Sequence, residues 1–169
     1  MDEVERRTRL RQLVEDVGIL FNELGLPRMA GRILGWLLVC SPPHQSATEL
    51  SSALGGSKGS ISSMTRLLIE VGLIERMSLP QQRITYYRIK PGAWHEIMRN
   101  RMAHLTSMRQ LVQRGLELVP RQDVQLEKRL REILDFYTFF ERELPLLLDR
   151  WEKQRAKAEA SRNLTRVTP

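Results

Sequence analysis

One cysteine in 169 residues cannot close a disulfide within the chain. Cys40 therefore excludes a fold stapled by internal bridges, and it fits a reducing compartment better as a small hydrophobe than as a redox sensor. No apolar run approaches the roughly 18–20 residues of a membrane-spanning helix, so no integral helical membrane protein is expected. Residues 1–11 are charged and lack an apolar stretch, so no secretory leader is expected there and a cytoplasmic location is. His44, His95 and His104 have no metal-ligand partner at helical spacing, and a single thiol makes no cluster. Gly55-Gly56-Ser57-Lys58-Gly59-Ser60 has the residue types of a phosphate loop in the wrong order. No serine sits in a nucleophile elbow. No enzyme, metal or cofactor is expected.

What is present is a chain with 41% hydrophobic residues, too many for a disordered segment and enough for a buried core. The formal net charge is +7, and it is unevenly placed. In residues 57–90, Lys58, Arg66, Arg76, Arg83, Arg88 and Lys90 face only Glu70 and Glu75. Residues 150–169 are basic as well, whereas residues 1–56 and 91–149 are close to neutral. A localised basic segment points to a polyanion, most often nucleic acid.

The apolar pattern predicts mainly helices. Leu10, Leu13, Val14, Val17, Leu20, Phe21 and Leu24 form one stripe over residues 3–25, closed by Gly25 and Pro27. Residues 28–40 read as a more apolar, buried helix that Pro42 and Pro43 end. Ser46-Ala47-Thr48-Glu49 is a capping box for a short helix to Leu54. Gly55-Gly56 then turns the chain into a helix over Ser57–Val71, with Ile61, Met64, Leu68 and Val71 inward. Residues 74–78 and 83–89 change to strand composition around the turn Leu79-Pro80-Gln81-Gln82, which predicts a hairpin. Residues 93–118 return to helix, and a long helix follows from about Asp123. In it Leu130, Ile133, Tyr137, Phe140, Leu144, Leu147 and Trp151 alternate steps of three and four, a heptad seam. That seam could serve a partner chain or packing within one chain. Pro145 is expected to kink this helix, and residues 152–169 to fray.

A capped helix, a glycine turn, an amphipathic helix and a hairpin, in that order, make a winged helix-turn-helix. The expected DNA face is Ser57, Lys58, Ser60, Ser62, Ser63, Thr65, Arg66 and Ile69, because short hydroxyl residues let backbone approach phosphates and Arg66 reaches a phosphate or a guanine edge. Arg76 on the first strand and Gln81, Gln82 and Arg83 at the hairpin tip complete it, the tip lying beside the backbone or in the minor groove.

Residues 17–105 resemble the GbsR-type branch of the MarR family of bacterial transcriptional regulators. The resemblance is carried by Ser57-Lys58-Gly59-Ser60-Ile61-Ser62, Leu67 to Ile74, Arg83 to Arg88, and Ala93-Trp94-His95-Glu96-Ile97. It implies a cytoplasmic homodimer that binds double-stranded DNA and responds to a ligand, as some members of the branch do to choline. An aromatic cage for such a quaternary ammonium would draw on Trp36, Trp94, Tyr137 and Phe140. The dimer would be built from the N-terminal helix (Leu10, Leu13, Val17) and the heptad residues. The expected fold is mainly α with a small β-hairpin wing: residues 1–27 a dimerisation helix, 28–91 the winged helix-turn-helix, 92–151 a helical dimerisation arm, and 152–169 a basic tail. The alternative is a winged-helix adaptor that docks an acidic protein and binds no DNA.

Overall fold

The computed structural model describes residues 2–120 and 123–167, so residues 168 and 169 of the basic tail lie outside the described residues. The elements are α1 (Glu3–Glu23), α2 (Arg28–Val39), β1 (Gln45–Ser46), α3 (Ala47–Leu54), α4 (Lys58–Glu70), β2 (Ile74–Ser78), β3 (Thr85–Ile89), α5 (Ala93–Leu118) and α6 (Val124–Val167). The chain divides into two compact units, Met1–Ile97 and Met98–Pro169, with the boundary inside α5.

In the first unit, α1 begins at Asp2, whose carboxylate accepts the Glu5 N–H at 2.7 Å. Glu3 and Glu5 then pair with Arg6, Arg7 and Arg9 one turn on, the favourable acid-first order. Helix α1 lies against α2 at close range because α2 carries glycines there. A Cβ on Gly31 would stand 2.6 Å from the Val17 carbonyl oxygen and 2.7 Å from Phe21 Cβ, so only hydrogen fits. Glu15 locks the pair by accepting from Arg28 and Arg32 at 2.8 and 2.7 Å.

The other face of α2 supplies the centre of the core. Ile33, Leu34, Leu50, Ile61, Leu68 and Ile74 are almost wholly buried, drawn from α2, α3, α4 and β2. Each contributes roughly 1.5–3 kcal/mol relative to an exposed side chain. The sheet has three antiparallel strands in the order β1-β3-β2, one more than the expected hairpin. Strand β1 pairs Gln45 with Tyr87 and Ser46 with Tyr86, while β2 pairs Ile74 with Ile89 and Ser78 with Thr85. Two residues carry too little pattern to be read as a strand.

The second unit is the hairpin of α5 beyond Ile97 and α6. Asp123 caps α6, accepting the Leu126 N–H at 2.9 Å. Thr106 and Arg109 on α5 both donate to the Glu141 carboxylate on α6. Helix α6 runs through Pro145 without interruption and continues to Val167. The heptad row does not stay on one face. Leu130, Tyr137, Phe140 and Leu144 are half-buried, whereas Ile133, Leu147 and Trp151 are exposed. A straight helix at 3.6 residues per turn drifts by about 20° per heptad, which carries a strict row of sevens off the packed side.

Candidate nucleic-acid interface

The approach to the interface starts at the α3 cap. The Ser46 backbone N–H and hydroxyl donate to the Glu49 carboxylate at 2.6 and 2.7 Å, and the Glu49 N–H returns to the Ser46 hydroxyl at 3.2 Å. The Ser46 backbone N–H, then its hydroxyl, hold the Glu49 carboxyl below the usual carboxylate range. Gly55 ends α3 in the left-handed region at φ 64°, which turns the chain sharply. Ser51 ties this turn, its hydroxyl donating to the Gly56 carbonyl at 2.6 Å. Nothing in the local pattern marks that bond, because its acceptor lies five residues away across the turn.

Ser57 caps α4, accepting the Ser60 N–H at 3.2 Å. The helix buries Ile61, Thr65 and Leu68. Thr65 is therefore not a DNA-face residue. It is 2% exposed, and its hydroxyl is satisfied by the Ser62 carbonyl at 3.1 Å. The physical reason is spacing: Thr65 stands one turn after Ile61 and three residues before Leu68, on the same stripe, while Val71 is exposed. Ile69 also leaves the expected face and packs against the core. What remains outward on α4 is Lys58, Gly59, Ser62, Ser63, Arg66 and Glu70, with Ser57 exposed at the cap and Ser60 half-buried beside it.

At the hairpin tip the Gln82 N–H donates to the Leu79 carbonyl at 3.2 Å, closing the turn. Gln81 occupies the left-handed region at φ 64°. The Tyr86 hydroxyl donates to Gln82 Oε1, so that side chain is engaged in holding the tip. Strand β3 begins at Thr85, which leaves Arg83 and Ile84 in the tip loop and not in the strand. Arg76, Gln81, Gln82 and Arg83 are all exposed.

Charge pairing separates this surface from the rest of the first unit. Arg6, Arg7, Arg9, Arg28, Arg32, Arg88 and Lys90 are each in an ion pair. Among the described residues of that unit, Lys58, Arg66, Arg76 and Arg83 are in none, and Arg11 on α1 is the other exception. Within the first unit, four of the five described cations without an ion-pair partner therefore lie on α4 and the wing.

Other candidate positions are dispersed. On α1, Val17 packs against the core, Leu10 is half-buried and Leu13 is 45% exposed. Of the four aromatics expected for a cage, Trp36 and Trp94 belong to the first unit and Tyr137 and Phe140 to the second. Trp36 donates to Gln45 Oε1 in the first unit at 3.3 Å, and Trp94 is exposed on α5. Phe140 packs on Phe136. Tyr137 lines an apolar groove of about 610 Å³ between α5 and α6, with Met98, Met102, Leu105 and Leu148. Burial pushes the Cys40 thiol up, which keeps it protonated and unreactive. Among the described residues no group of three or more His, Cys, Asp or Glu is placed to hold a metal ion, and no helix is long and apolar enough to cross a membrane.

Three comparisons bear on this geometry. Residues 92–154 match the MmpR5-like MarR family transcriptional regulators. The HTH-type transcriptional regulator MmpR5 of Mycobacterium tuberculosis (strain ATCC 25618 / H37Rv) is 36% identical, over 91% of this chain and 93% of its own length. A crystal structure of a transcriptional regulator superposes with a TM-score of 0.73 at 37% identity, covering 86% of this chain and 99% of the other.

Proposed function

The chain belongs to the MarR family of transcriptional regulators, and from that premise we propose how it engages DNA. It is a DNA-binding regulator and not an enzyme, so the adaptor alternative falls away. In the proposal, α4 enters the major groove with Lys58, Ser62, Ser63 and Arg66 toward the duplex, while Ser57 and Ser60 approach phosphates at its N-terminus. Arg76, Gln81, Gln82 and Arg83 lie along the backbone or minor groove beside it. The protein acts as a homodimer in the cytoplasm, with its two α4 helices about 34 Å apart on a pseudo-palindromic site, and it represses by occupying that site. The dimer draws on Leu10 and Leu13 of α1 and on the exposed apolar residues of α6, Ile133, Leu147 and Trp151 among them.

The single observation that supports this reading is that, within the first unit, Lys58, Arg66, Arg76 and Arg83 on α4 and the wing are in no ion pair while every other described cation except Arg11 is in one. An unpartnered cation costs nothing in solvent, and it can release counterions when it meets a phosphate. The test is a mobility-shift titration on fragments of the source genome with Arg66→Ala and Arg83→Ala. Each should weaken binding about tenfold or more while leaving the melting temperature within about a degree or two. Wild-type affinity should fall with salt at a log–log slope near −0.9 per phosphate contacted. Unchanged affinity in both variants contradicts the assigned face.

Ligand response is the finer part of the proposal. An effector changes DNA affinity only if it binds two arrangements of the dimer unequally. Membership of the GbsR-type branch and a quaternary-ammonium effector such as choline rest on the sequence segments alone. Titration calorimetry with choline decides the second, and the absence of heat removes it.

A further inference from the structure

Two residues on this surface stand against the preference of their own backbone. Gly59 is in the first turn of α4, and a Cβ built on it would meet nothing within 4 Å. Its φ lies outside the left-handed range, so no turn and no close neighbour within the chain requires glycine there. Glycine is nevertheless the poorest helix former after proline. Gln81 shows the converse. It follows Pro80 in the wing turn at φ 64°, the position where such a turn favours glycine because a Cβ is strained. Its side chain is exposed and makes no hydrogen bond among the described residues. The fold gains nothing from a missing side chain at Gly59 or from a present one at Gln81. Local preferences contradicted without internal compensation mark positions set by something outside the chain.

Resting on the reading of α4 and the wing as the DNA surface, we infer that Gly59 and Gln81 are a positioning and a specificity residue for the duplex. Gly59 lies on the exposed row with Ser62, Ser63 and Arg66, next to Lys58. Without a Cβ, the first turn of α4 lies flush against a phosphate strand, and the unpaired cations on either side reach it at short range. Contact of this kind carries no sequence information. Gln81 brings a carboxamide to the groove beside the wing, where its N–H donors meet the acceptor edges of A·T pairs. It accounts for sequence preference and not for general affinity.

The experiment uses the full chain and two probes: a duplex selected by the wild-type protein from a random pool, and the unselected pool. Gly59→Ala should raise Tm by about 2–4 °C and weaken binding to both probes about fivefold or more. Gln81→Gly should raise Tm by about 1–3 °C and weaken the selected duplex about tenfold while leaving the pool unchanged. Gly115→Ala on α5, where a Cβ would make ordinary contact with Leu130 at 3.7 Å, is the control. It should raise Tm with no effect on either probe. Unchanged affinity in Gly59→Ala or in Gln81→Gly overturns the role given to that residue. A lower Tm together with lower affinity overturns it as well, because the residue then serves the fold. Arg66→Ala run alongside separates the levels. If it loses binding while the two variants do not, this inference fails and the DNA face stands; if it too is unchanged, the face itself is misassigned.

Discussion

The two units of this chain solve the burial of apolar surface differently. Residues 2–97 enclose their own core: Ile33, Leu50 and Ile61 have no exposed surface at all. In the described part of the second unit, Val112 is the one hydrophobic residue in the buried class, while Leu111, Phe136, Phe139 and Leu147 are each more than half exposed. Exposure on that scale is uncommon on a solitary soluble surface. The contrast teaches that the first unit holds a core that one chain encloses, even though Leu20 and Leu24 of α1 stay more than half exposed. The α5–α6 hairpin is left incomplete, which is the physical basis of the proposed homodimer.

The largest expected effect tests the enclosed side of this contrast. Leu50→Ala should lower stability by roughly 2–5 kcal/mol at every protein concentration, read from urea unfolding. A loss below about 1 kcal/mol would mean the core around α3 is not the one that holds the unit together.

The open side is tested by Leu147→Asp. Because Leu147 is already 56% exposed, the single chain should lose little, within about 0.5 kcal/mol. The monomer–dimer equilibrium should shift toward monomer by about tenfold or more, measured by light scattering across a dilution series. An unchanged mass at all concentrations would remove this row from the proposed interface and make the two units alike.

The smallest effects belong to the α3 cap, and they sharpen the contrast by showing how local the first unit's controls are. Ser46→Ala should cost about 1 kcal/mol in the same urea experiment. Glu49 has a folded-state pKa below its ordinary value, so its contribution is fully present above the ordinary carboxylate range and is lost as pH falls through the depressed value. Glu49→Gln should therefore reduce stability at neutral pH and flatten its decline in acid. An identical acid limb in both proteins would show that the cap does not titrate with folding.

Much of the first unit was legible in residue order because its signals are local. The capping box at Ser46–Glu49, the glycine turn at Gly55 and the hairpin around Pro80 each act within four or five residues, and all are found where the pattern placed them. The face of α4 was legible only in part. Ile61 and Leu68 fit two inward rows, one through Met64 and Val71 and one through Thr65. A threonine reads equally well as a core residue with a satisfied hydroxyl or as a phosphate contact. Ser51 and the pairing of β1 with β3 were not legible, since each depends on a partner brought in by the fold.

The order of amino acids by itself determined where helices start and stop, where the chain turns, and on which stretch positive charge accumulates, because capping, φ preference and charge are properties of short segments. Only the tertiary structure decided that Thr65 turns inward, that the heptad row of α6 divides between packed and exposed sides, and that Lys58, Arg66, Arg76 and Arg83 stay unpaired while Arg88 and Lys90 are neutralised. Those outcomes depend on which neighbour arrives at each side chain, and no short segment carries that information.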